Sequence, residues 1–326
     1  MPIWKTQIFM FIILSLIMGG SCSLQDDTSV EKPLDQVSQK LSREAQKGRY
    51  VFEDGSLYEG ELVMGVPDGF GTIELVSGDL YEGQFKKGIS NGYGTMRYKS
   101  DPELEKYSGN WENGKRTGFG ALTMADQSVM EGHWQNGALL YGEYKSSSGI
   151  TTYGKWKEGS VVEGKLAYPD GDQFCGKFNP DGTYQFGTLV LANGGTYFGD
   201  FENGIYHGNG ILIENTGDIY TGKFLEGKKS GTGILKDLDG SVYSGEFLDD
   251  LPHGKGRQSD LSGVVYVGAW ENGYKSGSGV LDFGDGTSYI GEFENGRASD
   301  GLYDWGDGTT SRSYQDENGE WQDFEE

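Results

Sequence analysis

Short runs of alternating apolar and polar residues, separated by glycine-centred turns, dominate the chain. In each unit of the pattern, Tyr, Gly and an aromatic or apolar residue stand at i, i+2 and i+4. They therefore share one face of an extended strand, while the residues between them point the other way. YEGEL at Tyr58, YEGQF at Tyr81, YSGNW at Tyr107 and YFGDF at Tyr197 are of this kind, as are YTGKF at Tyr220, YSGEF at Tyr243, YVGAW at Tyr266 and YIGEF at Tyr289. Weaker copies begin at Met130, Thr152 and Phe174. The central glycines are Gly60, Gly83, Gly109, Gly132, Gly154, Gly176, Gly199, Gly222, Gly245, Gly268 and Gly291, spaced by 23, 26, 23, 22, 22 and then five times by 23 residues. Such a period marks a repeat array.

A turn glycine such as Gly65, Gly88 or Gly114 follows each first strand. A Gly-x-Gly pair, as in Gly69/Gly71, Gly92/Gly94 and Gly208/Gly210, opens a second alternating run such as Ile73 and Leu75. Each unit is thus predicted to be a β-hairpin. Glycine inside a strand weakens it unless something needs the space. The expected occupant is an aromatic ring from a neighbouring strand, settled over the bare backbone. On this reading the repeat anchors are Tyr58 and Gly60, then Tyr81, Gly83 and Phe85, then Tyr107, Gly109 and Trp111. They resume with Tyr197, Gly199 and Phe201; Tyr220, Gly222 and Phe224; Tyr243, Gly245 and Phe247; Tyr266, Gly268 and Trp270; and Tyr289, Gly291 and Phe293.

These motifs resemble the MORN repeat, in register over residues 58 to about 301. The resemblance implies an all-β fold, an elongated twisted antiparallel sheet of about eleven stacked β-hairpins. At two strands per repeat such an array is about 100 Å long. It also implies an interaction module rather than an enzyme. The copies at 130–196 lose the Gly-x-Gly pair and keep only Gly142, Gly164 and Gly187 near its place.

Composition agrees with many turns between half-buried strands: 56 Gly and 20 Tyr, but only 7 Pro. The net charge of −23 argues against nucleic-acid partners and against anionic lipid, since both need a basic footprint.

Residues 1–22 read as a signal peptide, with Lys5 before an apolar run from Ile8 to Met18, too short to span a bilayer. Cys22 after Gly19, Gly20 and Ser21 resembles a bacterial lipobox, which implies lipidation of Cys22. Gly19 stands where that family prefers Leu, so ordinary cleavage near Ser21 and an uncleaved anchor remain open. Ser23, where an Asp would signal inner-membrane retention, points to an exported, outer-membrane-anchored lipoprotein, and otherwise to a periplasmic or secreted protein. Residues 23–49 form a polar tether, 50–310 the repeat array and 311–326 an acidic tail. With residues 1–22 removed, Cys175 is a lone thiol and no intramolecular disulfide supports the fold.

No catalytic or metal constellation emerges, and no cofactor is implied. The glycine runs recur in phase with the repeat and lack a phosphate-loop spacing. His207 and His253 fall two repeats apart, about 20 Å, too far to share a metal. The acidic turns lack EF-hand spacing. One feature stands out on the far face. Phe198, Val267 and Ile290 replace the Glu59 and Glu82 of earlier repeats, and exposed apolar residues mark a partner surface. The expected function is a non-catalytic envelope scaffold for a protein partner, with membrane contact only through Cys22. Open sheet edges allow edge-to-edge self-association. The alternative is a carbohydrate- or cell-wall-binding repeat protein, using exposed Tyr and Trp for sugar stacking.

Overall fold

The structure is a computed structural model that describes residues 45–324. Cys22 and the signal segment lie outside the described residues. Among the described residues every regular element is a strand, β1 (Gln46–Val51) to β25 (Trp321–Asp323), and none is a helix. The chain divides into two compact units at Thr183/Tyr184. The first holds β1 to β12 (Gln46–Phe178) and the second β13 (Tyr184–Val190) to β25. Within each unit every strand pairs antiparallel with the next in sequence, as in β2 (Leu57–Val63) with β3 (Val66–Glu74) and β18 (Val242–Leu248) with β19 (Leu251–Ser259). The all-β hairpin array read from the periodicity is therefore present. Its limits differ from expectation: β1 begins before residue 50. Where an acidic tail was expected, β24 (Thr310–Gln315) and β25 are paired, and Ser313 is buried.

In every repeat but the one that begins at Phe174, a two-residue turn joins the two strands. Met64 and Gly65, between the paired Val63 and Val66, both take positive φ, 52° and 80°. That is the primed turn whose twist matches a hairpin. Asp249 and Asp250 make the same turn without glycine, at φ 49° and 73°. There Asp250 adds something glycine cannot, its Oδ1 accepting from the Lys229 amide at 2.8 Å.

Glycine forms one continuous row across each sheet. In the first unit, register pairs Gly48 with Gly60, Gly60 with Gly71, Gly71 with Gly83, and so on to Gly164 with Gly176. In the second the row runs from Gly187 to Gly301 and ends on Ser313. The Tyr ring explains it. A Cβ on Gly60 or on its partner Gly71 would collide with the hydroxyl of Tyr58. The ring over Gly60 thus comes from its own strand, two residues back, and extends across to Gly71. This corrects the expectation of a ring supplied only by a neighbouring strand. The Gly-x-Gly pair is also two devices rather than one. Gly71 lies under the ring, whereas Gly69 takes φ +111° at a β-bulge, where a Cβ would meet the Glu61 side chain. Gly142, Gly164 and Gly187 are members of the row; of the Gly-x-Gly pair, the irregular repeats have lost the bulge glycine and kept the other.

The bulge leaves a carbonyl without a ladder partner, and the buried Tyr hydroxyl takes it. Tyr58 donates to the Glu61 carbonyl at 2.8 Å, Tyr197 to Asp200 at 2.8 Å, Tyr243 to Glu246 at 2.9 Å and Tyr266 to Ala269 at 2.9 Å. On the same face each Phe or Trp stands edge-on between two Tyr rings. Phe85 meets Tyr58 and Tyr81 at 4.9 and 5.1 Å, and Trp270 meets Tyr243 and Tyr266 at 5.0 and 5.4 Å. Such edge contacts contribute about 0.5–1.5 kcal/mol each beyond area burial. They link each repeat to the next.

Burial pushes the phenols of Tyr58, Tyr220, Tyr243, Tyr266 and Tyr289 up to about 12. It raises Tyr81, Tyr107 and Tyr197 further. A phenol that ionises near 10 when unfolded therefore stabilises the fold fully below pH 10, and that contribution is lost as pH rises through 12. Loss of the β-sheet circular dichroism signal should coincide with the rise of tyrosinate absorbance in one step between pH 10 and 12. Ionisation of these phenols near pH 10 with the sheet intact would contradict the burial argument.

Candidate functional site

The repeat anchors are not available to a partner. Tyr58, Tyr81, Tyr107, Tyr197, Tyr220, Tyr243, Tyr266 and Tyr289 are at most 4% exposed, and the Phe and Trp between them are buried too. Any interaction surface must be built from the opposite face. There the residues flanking the glycine row form two lines across the strands, one on either side.

In the second unit, the line that follows the second-strand glycines is interrupted by Thr221, Ser244 and Arg257 and then apolar from Val267 to Leu302. Register places Val267 of β20 (Val265–Glu271) beside Val280 of β21 (Tyr274–Asp282). Val280 in turn lies beside Ile290 of β22 (Ser288–Glu294), and Ile290 beside Leu302 of β23 (Arg297–Asp304). All four are open to solvent, Val267 at 50% and Ile290 at 59%. Two of the three residues singled out from the sequence thus meet in one stripe. Phe198 does not join them. It sits on β14 (Thr196–Glu202), half-buried, with its ring edge-on to Phe186 at 5.2 Å. Val280 and Leu302 escaped sequence reading because they sit on second strands. Their side of the sheet depends on the bulge in the ladder. The signal was present: each directly follows the last glycine of its strand's motif.

The first unit carries different chemistry. The line before the second-strand glycines is aromatic: Phe70 on β3, Tyr93 on β5 (Ile89–Arg97), Phe119 on β7 (Lys115–Met124) and Tyr141 on β9 (Ala138–Lys145). Phe70 and Tyr93 are 44% and 45% exposed, Phe119 and Tyr141 half-buried. Between successive rings stand Gln84, Asn110 and His133, the last edge-on to Phe119 at 5.9 Å, and Glu61 precedes Phe70. Two of these side chains serve the bulge, Glu61 accepting from the Phe70 amide and Gln84 from the Tyr93 amide, each at 2.8 Å. The line on the other side of the glycines bears Glu59, Glu82, Glu131 and Glu143, all exposed.

Several other polar groups are explained by packing. Asp79 is 8% exposed. Burial would raise its carboxyl, but the Ser100 hydroxyl, the Lys99 and Ser100 amides and Ser77 outweigh that and hold it at about 2. It fastens one turn to the turn of the next repeat. Lys229 lies over the Tyr220 ring and pairs with Glu214 at 2.6 Å. The His207 imidazole is 3.1 Å from Glu202. Cys175, on β12 (Gln173–Phe178), is half-buried. Among the described residues no group of three or more His, Cys, Asp or Glu side chains could hold a metal ion, and no helix is long and apolar enough to cross a membrane.

A family model described as MORN repeat matches nine segments: 58–80, 81–101, 107–129, 153–173, 197–218, 220–242, 243–263, 266–288 and 289–310, more than half of the chain. No curated protein matches. Among solved structures the chain is similar to the SAS-4 (dCPAP) TCP domain of Drosophila melanogaster, solved with a proline-rich motif of Ana2 (dSTIL). The identity is 12%, over 56% of this chain and 94% of that one, at a TM-score of 0.31. A mutant TCP10 domain of Danio rerio CPAP is 11% identical over 74% and 92%, at 0.22. A streptogramin B lyase is 12% identical over 85% of each, at 0.16.

Proposed function

From the premise that this chain belongs to the MORN-repeat family, we propose that it is a non-catalytic scaffold that binds a protein partner on the exposed face of its second unit. The observation that carries this is the stripe of Val267, Val280, Ile290 and Leu302, aligned across four strands and open to solvent. Exposing four aliphatic side chains in one contiguous line is costly in water and is offset when a partner covers them. The core face cannot serve, since its rings are consumed by glycine and by each other.

The site of action in this proposal is the cell envelope, with Cys22 as the lipid anchor. Cys22 lies outside the described residues, and support comes from the sequence of the leader alone. The chain has two cysteines, so a lipidated Cys22 leaves Cys175 as a thiol. Intact-mass measurement of membrane-purified protein reads both states. Cys22→Ala is expected to release the protein into the soluble fraction, and retention in the membrane would count against the anchor.

The partner reading is tested by cross-linking in native cells followed by mass spectrometry, with Val267→Asp/Ile290→Asp beside the native chain. Both side chains are exposed, so the fold should survive. The expected result is loss of the cross-links that map to the second unit. An unchanged set would remove the stripe as the binding surface.

A further inference from the structure

The outer face of the first unit has a regular geometry that the aliphatic stripe does not use. Phe70, Tyr93, Phe119 and Tyr141 occur on every second strand, at the same place beside the glycine row. Neighbouring strands are about 4.8 Å apart, so the rings recur at a pitch of about 9.6 Å. A polyproline II helix repeats every three residues at about 3.1 Å each, or about 9.3 Å per turn. One edge of such a helix, laid across the strands, would bring a prolyl ring onto each aromatic side chain in turn. Aromatic-lined surfaces bind proline-rich segments in this way, because the ligand is already extended and loses little entropy.

The second line on this face sets the charge of the ligand. Glu59, Glu82, Glu131 and Glu143 lie on a line parallel to the aromatic row, about 7 Å away along the strands, two toward each end with Thr95, Ser108 and Ala121 between. Glu59 is 3.4 Å from Arg49; among the described residues the other three have no ion pair. A neutral glycan would meet the rings but leave these carboxylates without a counterpart. A cationic proline-rich segment satisfies both lines at once. The second unit lacks this combination, since Asn209, Thr232, Lys255 and Ser278 stand at the positions of Phe70 and its successors.

We propose that the outer face of the first unit is a docking site for a basic, proline-rich peptide segment in polyproline II conformation. It binds across the strands with prolines on Phe70, Tyr93, Phe119 and Tyr141 and cationic side chains toward Glu59, Glu82, Glu131 and Glu143. This rests on the reading of the chain as a protein-binding scaffold and adds the chemistry of one partner.

The test is fluorescence anisotropy with the full chain and a labelled twelve-residue peptide of four Arg-Pro-Pro repeats, beside four Arg-Gly-Gly repeats of the same charge. The proline peptide is expected to bind about tenfold tighter than the glycine peptide, a difference of about 1.4 kcal/mol. Phe70→Ala/Tyr93→Ala is expected to erase that difference. Glu82→Gln/Glu131→Gln/Glu143→Gln is expected to weaken both peptides. Should the alanine variant melt early, Phe70→Leu/Tyr93→Leu keeps bulky apolar side chains without a ring face and must give the same result. Equal binding of the two peptides would overturn the proposal, as would proline binding indifferent to loss of the rings. So would chitohexaose binding that the ring substitutions abolish, which would assign the face to a glycan. Val267→Asp/Ile290→Asp should leave peptide binding unchanged. A failure here with cross-links to the second unit intact therefore removes this site and spares the scaffold.

Discussion

Gly94→Val is expected to destabilise the first unit by about 3 kcal/mol, the upper end of the cost of overpacking a close-packed site. Gly94 pairs with Gly83 on one side and Gly109 on the other. A Cβ there would overlap the hydroxyl and ring of Tyr81. That ring cannot yield, because it is 1% exposed and held edge-on by Phe85 at 5.1 Å and Trp111 at 5.3 Å. The comparison is Gly65→Ala. Gly65 takes positive φ, at 80°, as Gly94 does not, and nothing lies within 4 Å of its Cβ position. Its cost is backbone strain alone, about 1 kcal/mol. Chemical denaturation followed by hydrogen exchange in the first unit separates the two. If Gly94→Val proves as mild as Gly65→Ala, the glycine row is not there to admit the rings.

The complementary change is Tyr243→Ala, for which a loss of about 3–5 kcal/mol is expected. It removes edge contacts to Phe247 and Trp270, both at 5.0 Å, and bares Gly245 and Gly256 beneath the ring. Tyr243→Phe should cost only about 1 kcal/mol, since it keeps the ring and loses one hydrogen bond to the Glu246 carbonyl. In a repeat array the damage should propagate to adjacent repeats before distant ones. Early exchange in β17 (Lys228–Lys236) to β20 is therefore expected, with β24 still protected. Equal losses for the Phe and Ala variants would place the hydroxyl-to-carbonyl bond ahead of ring packing.

Between them these substitutions probe what the sequence already showed. Tyr, Gly and Phe or Trp at i, i+2 and i+4 can face one side only in an extended strand, because the side-chain period of a strand is two. The all-β class, the hairpin per repeat and the burial of Tyr243 or Trp270 followed from that spacing. The candidate surface was only half legible. Val267 and Ile290 stand out because they replace glutamates within the first-strand motif. Val280, Leu302 and the row from Phe70 to Tyr141 lie on second strands, beyond a bulge whose extra residues change which side chain faces which side. Counting alternate residues through a bulge fails, so those lines stayed hidden.

The roles of the two glycines in each Gly-x-Gly pair were likewise beyond the sequence. Both are glycine, yet Gly69 is required for its left-handed backbone and Gly71 for its bare surface under Tyr58. Local spacing determines which residues share a strand face, since that depends on a few consecutive dihedrals. Pairing and bulge placement decide which strand's ring covers which glycine, and which outer residues line up. These depend on register between neighbouring strands, as where Val267 meets Val280 and Val280 meets Ile290, and only the tertiary structure contains that.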